Sequence, residues 1–196
     1  PLPLVPLPAP AAVCIAGADL NSPAPPLNGV FTTNAPGGFT PNNAAGTAVL
    51  DVNAAGAGTY NVTYTYTDGN GCSASQTVSV TVNPLPLVTL NDPADVCIDG
   101  ADLNFTATPL NGVFTTNAPA GFTPNNAAGT AVLDVSAAGA GTYDVTYTFT
   151  DGNGCSASQT VSVTVNPAPV VTLNDPADVC IDGADLNFTA TPDNGV

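Results

Sequence analysis

The chain runs to 196 residues with no Lys, Arg, His, Met or Trp, and its fifteen acidic residues, all Asp, give a formal charge of −15. That inventory lacks the usual general bases near neutral pH and every Ser/His/Asp or Cys/His nucleophile system; with no Asp-Thr-Gly or Asp-Ser-Gly segment for a carboxylate pair either, an enzyme is not expected. No cation is present to meet phosphates, which excludes nucleic acid and anionic membrane surfaces as partners, and no apolar run nears the ~20 residues of a membrane helix, so neither membrane insertion nor a signal peptide is expected within the sequence.

Cys14, Cys97 and Cys180 recur with a period of 83, as do Cys72 and Cys155. A repeat of that length sets the expected domains: residues 1–83 as repeat 1, 84–166 as repeat 2, and 167–196 as the start of a truncated repeat 3. From Phe31 to Asn83 the first repeat differs from Phe114 to Asn166 only at Gly37/Ala120, Asn53/Ser136, Asn61/Asp144 and Tyr66/Phe149. Near-identity of this kind is what copying one module for length produces, and the whole protein is expected to be longer.

The first thirty residues diverge most. Pro6, Pro8, Ala9, Ala12 and Ala16 stand where the second repeat has Thr89, Asn91, Asp92, Asp95 and Asp99. Further on, Tyr60, Val62, Tyr64 and Tyr66 share one face of an alternating segment; core packing is favoured over sugar stacking, and Tyr60 suits a tyrosine corner. Thr63, Thr65 and Thr67 on the other face, beside Thr77, Ser79 and Thr81, form a hydroxyl-rich surface. An ordinary solvated face is favoured there over a glycan site, module packing or an ice-binding array. Asp68-Gly-Asn-Gly71 reads as a hairpin turn rather than a metal loop.

In the second repeat short strands are expected at Leu87 to Leu90, Leu103 to Thr108, Val113 to Thr115 and Thr130 to Val135, with Gly, Pro and Asn filling the gaps. The run from Ala137 to Gly141 is too Gly-rich to hold a helix. From Gly141 to Thr150, Tyr143, Val145, Tyr147 and Phe149 alternate with Thr146, Thr148 and Thr150; after the turn Asp151-Gly-Asn-Gly154, the segment from Cys155 alternates again with Val161, Val163 and Val165 inward. The two segments read as a β-hairpin, and the result is an all-β module of about 83 residues.

Gly-Thr-Tyr-Asn-Val-Thr-Tyr-Thr-Tyr-Thr-Asp-Gly-Asn-Gly-Cys from Gly58 to Cys72, repeated from Gly141 to Cys155 and followed by a Thr/Val strand and a Pro-rich junction, resembles the immunoglobulin-like or PKD-like tandem repeats of giant secreted surface adhesins of the Bacteroidota. The resemblance covers both full repeats and the partial third. It implies tandem immunoglobulin-like β-sandwiches in an extracellular or cell-surface protein, where relatives act as adhesins, gliding filaments or spacers.

Five cysteines in such a chain read as a disulfide framework. Two pairings are open: within modules, Cys14 with Cys72 and Cys97 with Cys155, or across modules, Cys72 with Cys97. The intramodule pairs are favoured, because the strand after Cys72 runs about ten residues, roughly 33 Å, away from it, and Pro84 and Pro86 discourage a return. Cys180 is expected to find its partner outside the sequence. Free buried thiols are the alternative; a thiolate metal site is not expected, since there is no His and no close Cys pair.

Asp92, Asp95, Asp99 and Asp102 lie within eleven residues after the Pro84-Leu-Pro86 junction and recur as Asp175, Asp178, Asp182 and Asp185, whereas the first repeat keeps only Asp19. They are candidate calcium ligands at a domain junction, against the alternative of a solvated acidic loop. No other cofactor is expected. The function expected is a structural module forming a stalk or filament, whose partners are neighbouring repeats of the same chain and copies of itself; the alternative is an adhesin module that binds carbohydrate or another surface ligand.

Overall fold

The computed structural model describes residues 2–192; Pro1 and residues 193–196, at the edges of the expected first and third repeats, lie outside the described part. In chain order the first half forms β1 (Val13–Cys14), β2 (Leu20–Pro23), β3 (Val30–Thr33), β4 (Phe39–Asn42), β5 (Thr47–Leu50), a single helical turn α1 (Val52–Ala55), β6 (Gly58–Thr67) and β7 (Ser73–Asn83). The second half repeats the pattern with β8 (Thr89–Leu90), β9 (Val96–Cys97), β10 (Leu103–Thr108), β11 (Val113–Thr116), β12 (Phe122–Asn125), β13 (Thr130–Leu133), α2 (Val135–Ala138), β14 (Gly141–Thr150) and β15 (Ser156–Asn166). A last pair, β16 (Thr172–Leu173) and β17 (Ala190–Thr191), follows.

Each half is two sheets. In the first, β1-β7-β6-β3 faces β2-β5-β4; in the second, β11-β14-β15-β9 faces β12-β13-β10-β8. The long hairpins are the backbone of both, with Thr67 opposite Ser73 and Thr150 opposite Ser156 at the turn end and Gly58 opposite Val82 and Gly141 opposite Val165 at the other. Strict alternation along these strands sends one row of side chains between the sheets. Tyr60, Val62 and Tyr64 of β6 and Val78, Val80 and Val82 of β7 meet Ala48 and Leu50 of the facing sheet in one core. Tyr143, Val145, Tyr147, Val161, Val163 and Val165 meet Phe105, Ala131 and Leu133 in the other. The aromatic stripe is therefore core: Tyr64 and Tyr147 are wholly buried, and Tyr66 packs against the cluster from its margin.

Both short parallel strands lie at the hairpin end remote from the turn. Val13 and Cys14 pair with Val82 and Asn83, and Val96 and Cys97 pair with Val165 and Asn166. The opening segment of each half thus lies along its long strand, and in the second half it first pairs with β10 of the facing sheet through β8 before β9 docks on β15. It is tied on the way by Gln76, whose Oε1 accepts from the Leu7 N–H at 3.0 Å, and by Gln159, whose Oε1 accepts from the Leu90 N–H at 3.1 Å.

Three local expectations need correcting. The segment expected as strand through Val135 stops at Leu133 and becomes the helical turn α2, although its Gly-rich surroundings argue against a helix. One turn needs no apolar period; it needs a cap, and Asp134 Oδ1 accepts from the Ala137 N–H at 2.9 Å while Gly139 at φ +87° ends it. Phe122–Asn125 forms a strand in spite of Pro124, because β12 is the sheet edge, where a missing N–H costs no ladder bond. The first expected strand shortens to Thr89–Leu90.

Residues 167–192 share the sequence of the second sandwich's opening except at Ala168 and Val170, but not its environment. Phe188 is 62 % exposed where the equivalent Phe105 is fully buried, and no described residue after Val165 joins either core.

Candidate functional site

The two sandwiches meet at a covalent crossing. Cys155 closes the β14–β15 turn, whose shape is fixed by Asp151: its Oδ1 accepts from the N–H groups of Asn153 and Cys155, both at 2.9 Å, its N–H donates to the Cys155 carbonyl at 2.9 Å, and Gly154 takes φ +80°. This is the hairpin turn expected of the Asp-Gly-Asn-Gly segment, and the Asp68 turn reproduces it with both bonds at 2.9 Å. Cys14 sits at the far end of the first sandwich, where the Ile15 N–H donates to the Asn83 carbonyl at 2.8 Å and the Gly17 N–H to the Cys14 carbonyl at 2.7 Å. Cys14 and Cys155 form a disulfide with a Cα–Cα distance of 5.5 Å across a sequence separation of 141.

This bond replaces the expected intramodule pairs Cys14 with Cys72 and Cys97 with Cys155. The physical reason lies in the register. Cys14 pairs beside Asn83, while Cys72 sits at the opposite end of β7, eleven residues or about 36 Å of extended chain away; disulfides need Cα atoms within about 7 Å. The same length of β15 separates Cys97 from Cys155. The other open pairing, Cys72 with Cys97, does not form either, and Cys72, Cys97 and Cys180 are exposed free thiols. The bond's effect on Cys155 is visible in its burial: it is fully buried, whereas Cys72, in the same turn of the first sandwich, is exposed.

The candidate calcium ligands are dispersed. Asp92, Asp95, Asp99 and Asp102, like Asp175, Asp178, Asp182 and Asp185, are exposed, and among the described residues no group of three or more Asp or Cys is gathered as a metal site. Asp95 is engaged with the backbone instead, where its Oδ1 accepts from the Thr164 N–H at 2.8 Å and pins the opening segment to β15 one residue before β9. Ala12 holds the equivalent place in the first repeat.

The hydroxyl face is largely self-satisfied. Thr63 and Thr77 share a hydrogen bond at 2.7 Å, as do Thr67 and Ser73 at 2.7 Å, and Ser79 donates to Asn61 Oδ1 at 3.0 Å. The second sandwich repeats the ladder through Thr146 with Thr160 and Thr150 with Ser156, each at 2.7 Å. Tyr60 forms the expected corner, its hydroxyl donating to the Ala55 carbonyl at 2.7 Å, and Tyr143 does the same to Ala138 at 2.7 Å. Sequence reading missed a second tyrosine anchor. The Tyr147 hydroxyl accepts from the Gly112 N–H at 2.7 Å and donates to the Pro109 carbonyl, holding the loop that leads into β11; Tyr64 does so for Gly29 and Pro26. The signal available was the glycine before each Val-Phe-Thr-Thr strand.

The architecture defines a class: tandem β-sandwiches of the immunoglobulin type, copied end on end. The family model described as bacterial Ig domain matches residues 10–81 and 83–164, and the chain belongs to that family. No curated protein matches it. Among solved structures it is similar to a Ca²⁺-stabilised adhesin that helps an Antarctic bacterium reach out and bind ice, at 20 % identity over 90 % of this chain and 52 % of that one, with a TM-score of 0.44. Drosophila N-cadherin EC1-4 aligns at 15 % identity over 84 % of this chain and 50 % of that one, with a TM-score of 0.43. A SusE-like surface-located polysaccharide-binding protein from Bacteroides thetaiotaomicron aligns at 14 % identity over 82 % and 34 %, with a TM-score of 0.36. The chain spans about half the length of the first two.

Proposed function

We propose that the chain is a run of structural modules, 1–83, 84–166 and the opening of a third at 167–196, in a long extracellular or cell-surface bacterial protein, where it serves as stalk or filament and carries no catalytic role. The observation that carries this reading is the Cys14–Cys155 bond. It joins the trailing end of one sandwich to the leading turn of the next, beside the short Pro84–Val88 connection. Two covalent crossings at one junction oppose bending and twisting, whereas a single five-residue link would leave a hinge. A disulfide also fits an oxidising, extracellular setting, and among the described residues no helix is long and apolar enough to cross a membrane. The adhesin alternative draws less support, since many of the outward hydroxyls are spent on one another.

Small-angle scattering from the oxidised chain and from Cys14→Ser tests the reading. The oxidised chain is expected to give one fixed separation between its two sandwiches, and Cys14→Ser a broadened distribution with both sandwiches still folded. Identical profiles would remove the bond as a stiffening device and leave the stalk reading without its main support.

A further inference from the structure

We infer that the Cys14–Cys155 bond is one rung of a repeating staple, and that Cys97 and Cys72 are the two halves of further rungs, each awaiting another module of this same repeat. The inference deepens the stalk reading and rests on it. It adds the partner and the rule of connection: the first cysteine of one module bonds the hairpin cysteine of the module that follows.

Both half-rungs are already built. At the trailing end of the second sandwich, Cys97 lies beside Asn166 as Cys14 lies beside Asn83. The Ile98 N–H donates to the Asn166 carbonyl at 2.9 Å and the Gly100 N–H to the Cys97 carbonyl at 2.8 Å, matching 2.8 and 2.7 Å around Cys14. At the leading end of the first sandwich, the Asp68 turn holds Cys72 with the same two 2.9 Å bonds that hold Cys155, and Gly71 at φ +81° matches Gly154 at +80°. Both thiols are exposed. What distinguishes them from ordinary surface cysteines is that their counterparts 83 residues away, Cys14 and Cys155, are bonded to each other.

Chain direction makes the rule extendable. Each module is entered at its turn end, near Gln76 or Gln159, and left at the opposite end, after Asn83 or Asn166. A following module therefore brings its own hairpin cysteine to the end where Cys97 waits. Bond formation is a two-electron oxidation: two thiols lose two protons and two electrons to a disulfide oxidant, such as oxidised glutathione, whose own sulfur–sulfur bond is reduced to two thiols.

The test completes the third module. Residues 167–196 differ from 84–113 only at Ala168, Val170 and Asp193, so a copy of the segment 114–166 joined after Val196 supplies the missing sheet strands and a hairpin cysteine. Cys180→Ser is included so that the Asp-specific protease fragment 95–98 is unique. After oxidative refolding with oxidised glutathione, the non-reduced map is expected to join fragment 95–98 to the appended hairpin fragment and leave Cys72 as a thiol. An appended cysteine left free in a folded third module, or bonded anywhere else, overturns the inference. The Cys14–Cys155 link, read in the same map, separates the two failures: its loss would strike the stalk reading itself, whereas its presence without the new bond would confine the failure to the repeating rule.

Discussion

Asp134 shows how one substitution between near-identical repeats changes chemistry. Its carboxylate caps α2, and hydrogen bonds from the Ala137 N–H and then from the Ser136 hydroxyl, the latter at 3.0 Å, hold its pKa below the ordinary carboxylate value. Position 136 is Asn53 in the first sandwich, where Asp51 Oδ1 instead accepts from the N–H groups of Asn53 and Ala54. A depressed carboxyl pKa contributes stability that is present above the ordinary carboxylate range and is lost as pH falls through the lowered value. Ser136→Ala should move the Asp134 titration upward toward normal, read from its carboxyl resonance by NMR, and should shift the acid unfolding limb of the second sandwich slightly to higher pH. An unmoved titration would contradict the role given to the hydroxyl. The cap was not legible beforehand because a single helical turn leaves no periodic trace. Tyr60, by contrast, was legible, since its place at the head of an alternating strand admits few other uses.

At the level of elements, the long hairpins and their inward faces are legible in the sequence, because period-two alternation over ten residues leaves little ambiguity. The β12 edge strand was missed because Pro124 counts against a strand until its place in the sheet is known. Gly112 carries an element-scale requirement of its own. A Cβ there would lie 2.4 Å from Tyr147 Cζ and 2.6 Å from the Thr148 carbonyl oxygen, one a buried ring and the other backbone. Neither can yield, so Gly112→Ala should push the loop off the Tyr147 hydroxyl and destabilise the second sandwich by about 1–3 kcal/mol, with the first sandwich's melting transition unchanged. Equal destabilisation of both transitions would mean the sandwiches do not unfold separately.

Across the whole molecule, period-two alternation conveyed the all-β class and the period of 83 set the spacing of the cysteines, but neither conveyed their pairing. About ten residues of strand carry the chain away from Cys72, and the register places Cys14 at the far end of that same strand, so the separation that counts against Cys72 with Cys97 counts equally against Cys14 with Cys72. What the sequence could not convey was the parallel docking of β1 and β9, two-residue strands too short to announce themselves.

The most direct test of the staple is a non-reduced peptide map of the native chain after cleavage before Asp, since the absence of Lys and Arg leaves trypsin nothing to cut. The fragment 1–18, which holds Cys14, should be joined to 151–174, which holds Cys155, and reduction should release both while Cys72, Cys97 and Cys180 alkylate without it. Fragment 1–18 joined instead to 68–91, or recovered free, would contradict the account.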